Sequence, residues 1–493
     1  MSADLHRSRT AATVAALASG NEHRFTSKRV LLTGDRDALL TANGADMARA
    51  ALQLLMRISD NVDVALPLLS GSLGTDLARD GERFAWDRAP QFVACDGDWS
   101  GYDAILSIGS SVRADLPWTA MTANGWIASV TSGARGIAAD CSRPNPITAL
   151  AAASLGVCEV FKRLIELRPE LGELLDGSVL SLWDHTLGGS EGPDIPAKLE
   201  ADLMVNGAGA IGSAIAHLLA RLPRVGELTV VDKQDYGPEN WGTCLDLERS
   251  QVGQPKAEIV AHRLQPGGSV RGLNTTIKAA TKDHFGAVTR WPEIVLNGLD
   301  GIDARHDAQE IWPDLVIDGA LDADLQVRVS AHEWASDRAC LRCLYQHPPG
   351  ELAVVKQMRD TGLSWASLQN QDRPLTEQDV AAADPARQAG LRSRLGRTVC
   401  SIVTEDGARA MSRSQLDEGF SPSVPFAACF SACLVVTELV RYLITGEVGV
   451  RPLWQVSMLI GPDTAQMLPD KRHADCRCRH RELIDKVRAS CIG

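Results

Sequence analysis

The segment Met204-Val205-Asn206-Gly207-Ala208-Gly209-Ala210-Ile211-Gly212-Ser213 constrains this chain more than any other. An apolar run enters a glycine turn and leaves as a helix, the pattern of a strand–loop–helix unit in a parallel α/β sheet. Gly207 and Gly209 let the backbone turn and approach a phosphate, and Gly212 lets the helix pack tightly on the sheet. The helix N-terminus offers free N–H groups and the positive end of its dipole to an anion. Twenty residues beyond Gly212, Asp232 closes the run Glu227-Leu228-Thr229-Val230-Val231. An acid at that place hydrogen-bonds a ribose in dinucleotide folds. The chain is therefore expected to bind a nucleotide.

Further residues choose among nucleotides. Gly253-Gln254-Pro255-Lys256-Ala257 opens a helix, with Pro255 suited to its first turn. Lys256 would bring a cation to the same crevice, which a triphosphate needs and a hydride transfer does not. The bland alternative is a solvated helix lysine. The run Glu293-Ile294-Val295-Leu296-Asn297 carries Gly298-Leu299-Asp300 at its carboxyl end. Ligands of open α/β sheets bind on that rim. A carboxylate beside phosphate repels it unless a cation lies between them, so Asp300 is a candidate Mg²⁺ ligand, or simply a helix N-cap. Arg305, five residues on, could neutralise phosphate charge. Lys256, Asp300 and the cysteine pairs described below disfavour an NAD dehydrogenase.

The chain has 493 residues, enough for two or three cores. The expected class is α/β, with two doubly wound Rossmann-like domains, the second holding the nucleotide fingerprint and a zinc knuckle. Residues 1–178 form the first. Strands are expected at 29–35, 103–109 and 124–130, and helices at 45–58 and 145–167. It lacks the fingerprint, and Gly34 alone cannot cradle a phosphate. A Gly/Ser/Pro-rich stretch around 188–196 places a linker at 179–198. Residues 199–493 form the second domain, with strands at 202–206, 227–231, 293–297 and 314–318 and a buried helix at 423–443. Residues 350–400 are polar and looped or loosely helical, within a candidate catalytic-cysteine segment at about 350–420.

Net charge −12 argues against a general nucleic-acid binder. No run of 18 apolar residues suggests a membrane span, and the first residues lack the apolar core of a signal peptide. Twelve cysteines without an export signal read as reduced thiols, metal ligands or a nucleophile, which places the chain in the cytoplasm.

Cys340-Leu341-Arg342-Cys343 and Cys476-Arg477-Cys478 are two close pairs far apart in sequence. Four thiolates in tetrahedral geometry make a closed structural Zn²⁺ site, which here would pin the C-terminal tail. The single-residue spacing of the second pair leaves His480 as a substitute ligand, and a redox pair is the rival reading. Cys400 lies in Arg397-Thr398-Val399-Cys400-Ser401, near Arg392 and Arg394. Three arginines would favour its thiolate, making it the candidate nucleophile. An ordinary cysteine on a short strand is the alternative. Cys244 reads as lining the nucleotide site, and Cys429 and Cys433 as inert core thiols. Asp184-His185, just before the Gly/Ser/Pro-rich stretch at 188–196, carries no catalytic assignment.

The order Gly207-x-Gly209-x-x-Gly212, Asp232, Asn240, Gly253-x-x-Lys256-Ala257, and Asp300 with Arg305 resembles the ubiquitin-activating-type adenylation superfamily, which includes the activators of bacterial sulfur carriers. The resemblance covers roughly residues 199–345 and the helix at 423–443. It implies that ATP adenylates the C-terminal glycine of a ubiquitin-like protein. Asp232 would hold the ribose, Lys256 the phosphates and Asp300 Mg²⁺, while Asn240 and Arg305 line the site. It also supports zinc on Cys340, Cys343, Cys476 and Cys478, and a thioester on Cys400 that passes to a conjugating enzyme. The first domain would be an inactive half, packed as a pseudo-dimer within the chain, or the chain would form a homodimer. Bacterial antiviral conjugation operons contain activators of similar layout. One departure stands out: the family's arginine in Asn-Leu-x-Arg-Gln is Thr243 in Asn240-Trp241-Gly242-Thr243-Cys244. Arg24, Lys28 or Arg29 would have to supply the missing cation. Two other readings remain open. One is adenylation of a sulfur carrier or peptide without an enzyme thioester; the other is a nucleotide-binding scaffold without turnover.

Overall fold

Two eight-stranded sheets share one strand order. The computed structural model describes residues 5–18, 25–67, 72–138, 140–265, 268–281, 292–321, 325–334, 336–346, 357–358, 360–403, 406, 424–450, 453–468 and 472–492. The first sheet contains β1 (Arg29–Gly34), β2 (Asn61–Val64), β3 (Gln91–Phe92), β4 (Ala104–Ile108), β5 (Trp118–Asn124), β6 (Ile127–Thr131), β7 (Ser178–Ser181) and β8 (Thr186–Leu187). The second contains β9 (Leu203–Asn206), β10 (Leu228–Val231), β11 (Val270–Leu273), β12 (Ile294–Asn297), β13 (Leu315–Leu321), β14 (Gln326–Glu333), β15 (Leu453–Ser457) and β16 (Gly461–Leu468). The orders are β3-β2-β1-β4-β5-β6-β7-β8 and β11-β10-β9-β12-β13-β14-β15-β16. In both sheets the first five strands run parallel and the last three pair antiparallel. The chain is therefore mixed α/β with two mainly parallel sheets. The strands expected around the glycine turn are in place. β7 and β8 occupy part of the stretch expected as linker.

Seven helices matter for the site: α1 (Ala42–Ile58), α2 (Leu73–Phe84), α3 (Pro146–Ile165), α4 (Ala210–Leu219), α5 (Lys256–Leu264), α6 (Ile302–Gln309) and α7 (Pro425–Thr445). Their ends follow capping chemistry. The Thr41 side chain accepts the Gly44 N–H to start α1. Asn145 caps two N–H groups of α3, ahead of Pro146 in its first turn. Pro425 starts α7, and Gly446, at φ 73°, ends it in the left-handed conformation.

α3 and α7 hold equivalent places after β6 and β14. Both are apolar nearly all round, which requires burial on every side. They pack against each other, and α7 also packs on α4 and β13. Phe161 and Phe426 meet there with ring centroids 5.2 Å apart. This helix pair joins the two sheets into one core. α7 is long and apolar enough to cross a membrane by length and composition alone, and 78% of its most apolar window is buried in this core.

By contacts the chain divides into two units, 1–344 with 422–493, and 345–421. The second unit packs short helices, Trp365–Leu368, Glu377–Ala381 and Gln388–Arg392, around Leu363, Leu375, Val380, Val399 and Ile402.

Candidate nucleotide site and cysteine centres

The glycine turn between β9 and α4 has no room for a side chain at Gly207 or Gly212. Gly207 has φ +83°, and a Cβ there would stand 2.7 Å from the Gly298 carbonyl oxygen. A Cβ on Gly212 would stand 1.8 Å from the Gly207 carbonyl oxygen. Gly209 faces open space, with no atom within 4 Å of a Cβ placed on it. Gly207 and Gly212 thus close the turn, and Gly209 leaves its outer side clear. That is the shape a phosphate cradle needs.

The rim residues come together around this turn. The Asp232 carboxylate accepts the Ala208 N–H at 2.7 Å and the Gln234 N–H at 2.8 Å, so it fixes the turn and retains lone pairs for a ribose. Lys256 is 5% exposed and is not a solvated surface lysine. Its Nζ donates to Gln234 Oε1 at 2.9 Å and lies 5.7 Å from the Tyr236 ring centroid. Buried Tyr236 donates its hydroxyl to the Ala208 carbonyl at 2.9 Å. Sequence reasoning missed Gln234 and Tyr236, because only the fold shows that residues 232–236 wrap back on the glycine turn. Asn240 is buried, and its Oδ1 accepts the Gly237 N–H at 2.8 Å.

Asp300 is exposed on the turn after β12. Arg305 is 6% exposed. Its Nε pairs with both oxygens of buried Asp318, at 3.2 and 3.0 Å, and it also donates to the Leu299 carbonyl. It therefore braces the turn carrying Asp300. Thr243 is fully buried, and its hydroxyl donates to the Asn240 carbonyl at 3.3 Å.

The corresponding crevice of the first sheet is built differently. A Cβ on Gly34 would stand 2.8 Å from the Ile108 carbonyl oxygen, matching the Gly207–Gly298 contact. Asp35 follows, however, and its carboxylate accepts the Ser111 N–H at 3.0 Å. A fixed anion at that turn repels phosphate.

The sheets meet beside the nucleotide site. The Trp241 indole donates to the Phe84 carbonyl at 3.0 Å. Arg57 stacks on its ring at 4.7 Å and donates to the carbonyls of Cys244 at 3.1 Å and Leu247 at 3.2 Å. Burial pulls the Arg57 pKa down to about 10. Gln53 and Asp246 exchange two hydrogen bonds, each 3.0 Å. Of the cations expected to replace the family arginine, Lys28 pairs with Glu166 at 2.8 Å and Arg29 with Asp63 at 3.0 Å. Arg24 lies outside the described residues.

The four cysteines Cys340, Cys343, Cys476 and Cys478 are buried with their sulfurs all within 4.8 Å of one another. Three sulfur pairs measure 3.8, 3.5 and 3.7 Å. Four sulfurs about 2.3 Å from a tetrahedral ion stand about 3.8 Å apart, so the set fits zinc without His480. The His473 N–H donates to Cys343 Sγ at 3.3 Å and Arg472 Nε to Cys478 Sγ at 3.4 Å, the outer contacts a thiolate cluster needs.

Cys400 is half-buried, in the first turn of a short helix over 399–403 and not on a strand, and its N–H donates to the Gln371 carbonyl at 2.7 Å. Arg392 pairs with Glu377 at 2.9 Å and Arg394 with Asp406 at 2.7 Å. Two of the three arginines therefore already serve carboxylates. Cys429 and Cys433 are fully buried, and burial pushes both thiols up, as expected of inert core cysteines. Cys244 is also fully buried.

A family model described as the ThiF family matches residues 197–478. A curated relative, "Bacterial E1-like protein BilD" of Collimonas sp. (strain OK412), is 26% identical over 322 residues, covering 62% of this chain and 59% of that protein. The chain thus spans less than two thirds of the relative's length. Among solved structures, E. coli MccB with ATP is 14% identical at a TM-score of 0.36, covering 56% of this chain and 65% of that one. MccB in complex with N-formylated MccA is 11% identical at a TM-score of 0.37, covering 56% and 67%. Both structural overlaps are too low to weigh in the assignment.

Proposed function

Since this chain belongs to the ThiF family, we propose that it uses ATP to adenylate the C-terminal glycine of a ubiquitin-like protein. The name of its E1-like relative supports that substrate class. The observation that carries the reading is the closed glycine turn with Asp232 and Lys256 fixed on its rim.

Asp232 binds the ribose, and Lys256, held by Gln234, faces the triphosphate. A carboxylate oxygen of the substrate attacks the α-phosphorus, the bond to the bridging oxygen breaks, and pyrophosphate leaves. Such transfer is mainly positioning and neutralisation of charge. Asp300 would hold Mg²⁺, which screens the phosphate charge when bound. Arg305 positions that turn through Asp318 and Leu299 and lines the site with its positive charge. The thiolate of Cys400 then attacks the acyl carbon, AMP leaves, and the thioester passes to a conjugating enzyme. Cys340, Cys343, Cys476 and Cys478 would hold zinc, which would pin the tail.

In this reading residues 1–178 are an inactive half, 179–198 a linker, and 199–493 the active half, with the cysteine segment at about 350–420. The shared strand order and Asp35 in the first crevice support that division. The chain would act in the cytoplasm, and bacterial antiviral conjugation is its proposed setting. The ion pairs of Arg392 and Arg394 favour a second reading, adenylation without an enzyme thioester. Partner-dependent ATP–pyrophosphate exchange tests the adenylation step. A reductant-sensitive adduct on denaturing gels, lost in Cys400→Ala, separates the two readings.

A further inference from the structure

A buried polar rung crosses the second sheet directly below the glycine turn. Asn206, Asn297, Asp318 and Ser330 are cross-strand neighbours on β9, β12, β13 and β14, and each is 0% exposed. Gly319, next to Asp318, faces α7: a Cβ there would stand 2.7 Å from Ser431 Oγ. The rung therefore lies on the opposite face of the sheet. Asn206 Nδ2 donates to Asn297 Oδ1 at 3.0 Å. Among the described residues, Asn206 Oδ1, Asn297 Nδ2 and Ser330 Oγ have no hydrogen-bond partner. Buried polar atoms left in that state are costly.

The fold does not demand this arrangement. The Gly34–Ile108 contact aligns the first sheet with the second, and its equivalent rung is Thr33, Ser107, Ala120 and Thr131. Small side chains stand there: Thr33 donates to the Ala65 carbonyl at 2.7 Å, and Ser107 Oγ, like Ser330 Oγ, has no hydrogen-bond partner among the described residues. The amide pair is found only in the half with the fingerprint.

Its place explains the difference. Asn206 precedes Gly207, and Asn297 precedes Gly298. The two turns touch closely: a Cβ on Gly298 would stand 2.6 Å from the Gly212 nitrogen. The next rung member, Asp318, holds Arg305, which braces the Asp300 turn. We propose that the Asn206–Asn297 amide pair is a positioning device that fixes the phosphate turn at 207–212 relative to the turn carrying Asp300. This inference rests on the adenylation reading, and its residues act through the turns without touching the reacting atoms.

The test is a double-mutant cycle in the full chain with Asn206→Thr and Asn297→Ser, the residue types used by the first half. Affinity for ATP is measured with Mg²⁺ and with EDTA, alongside the melting temperature. Each single variant should weaken Mg-ATP binding about tenfold to a hundredfold, as a misplaced site does. The double variant should be no weaker than the worse single. Binding in EDTA should fall less, and melting should shift little. Additive losses, equal losses with and without Mg²⁺, or losses that track melting would overturn the proposal. Should the variants not fold, hydrogen exchange on the native chain decides. Joint protection of 207–212 and 298–300 by Mg-ATP supports coupling, and independent protection refutes it. A native chain that binds Mg-ATP with a non-additive cycle but exchanges no pyrophosphate would sink the adenylation reading alone. Exchange together with an additive cycle would sink the pair alone.

Discussion

Replacing Gly212 with alanine tests the closed glycine turn at its tightest point. The added Cβ would lie 1.8 Å from the Gly207 carbonyl oxygen and 2.7 Å from its carbon. Both partners are backbone, so no side chain can rotate away. Real Cβ contacts essentially never fall below 3.0 Å, so α4 must separate from the end of β9 by about 1.2 Å. Overpacking of this kind costs about 1–3 kcal/mol of stability. A shift of about 1 Å in a binding cradle costs about a hundredfold in productive binding. Gly209→Ala is the matched control: φ is −76° and the added methyl meets open space, so the loss of stability should stay below about 1 kcal/mol. Calorimetric melting and titration with Mg-ATP measure both variants. Gly212→Ala should lose affinity and melt earlier, whereas Gly209→Ala should keep its melting temperature and lose affinity only through its methyl in the phosphate space. A Gly212→Ala chain that melts and binds ATP like the native protein would refute the argument.

Metal analysis of chain purified without chelator should find about one zinc per chain, and Cys478→Ser should lose it and expose residues 472–492 to protease; a metal-free native chain would contradict the site. Trp241→Ala removes a buried ring and its bond to Phe84, and should cost about 3–5 kcal/mol in denaturant unfolding, with an unchanged midpoint as the opposing result. Buried Glu438 pairs with His185 at 2.5 Å and accepts the N–H groups of Gly449 and Val450. Burial raises its pKa, but these contacts outweigh it and hold the carboxyl below its ordinary 4.5. Its stabilisation is therefore full above that value and fades as pH falls through the lower folded one. Glu438→Gln should flatten acid unfolding in that range, and an unaltered acid profile would count against the account.

Local pattern made much of this legible. Apolar runs ending in glycine marked β9 and β12, and Asn145-Pro146 marked the start of α3. Asp232 and Lys256 were readable because fixed spacing from a glycine turn puts them on one rim. Arg305 was named from its spacing to Asp300, but its ion pair with Asp318 was not legible, since strand register sets that partner. Gln234 and Tyr236 were invisible for a similar reason: their contacts to Lys256 and Ala208 exist only once the chain folds back. The arginines near Cys400 suggested a cationic setting, but Glu377 and Asp406, 15 and 12 residues from their partners, pair with two of them once the short helices pack. The strands β2, β3 and β7 are four residues or fewer and, unlike the equally short β9 and β12, run into no glycine that marks their ends, while β8 has only two residues.

The central claim is that this site makes an acyl-adenylate. The direct measurement is exchange of labelled pyrophosphate into ATP by the full chain, with a panel of small ubiquitin-fold proteins ending in glycine. The account predicts exchange with a cognate member, abolished when its C-terminal carboxylate is amidated. Mg-ATP bound tightly without exchange by any member of the panel, or exchange indifferent to amidation, would contradict it.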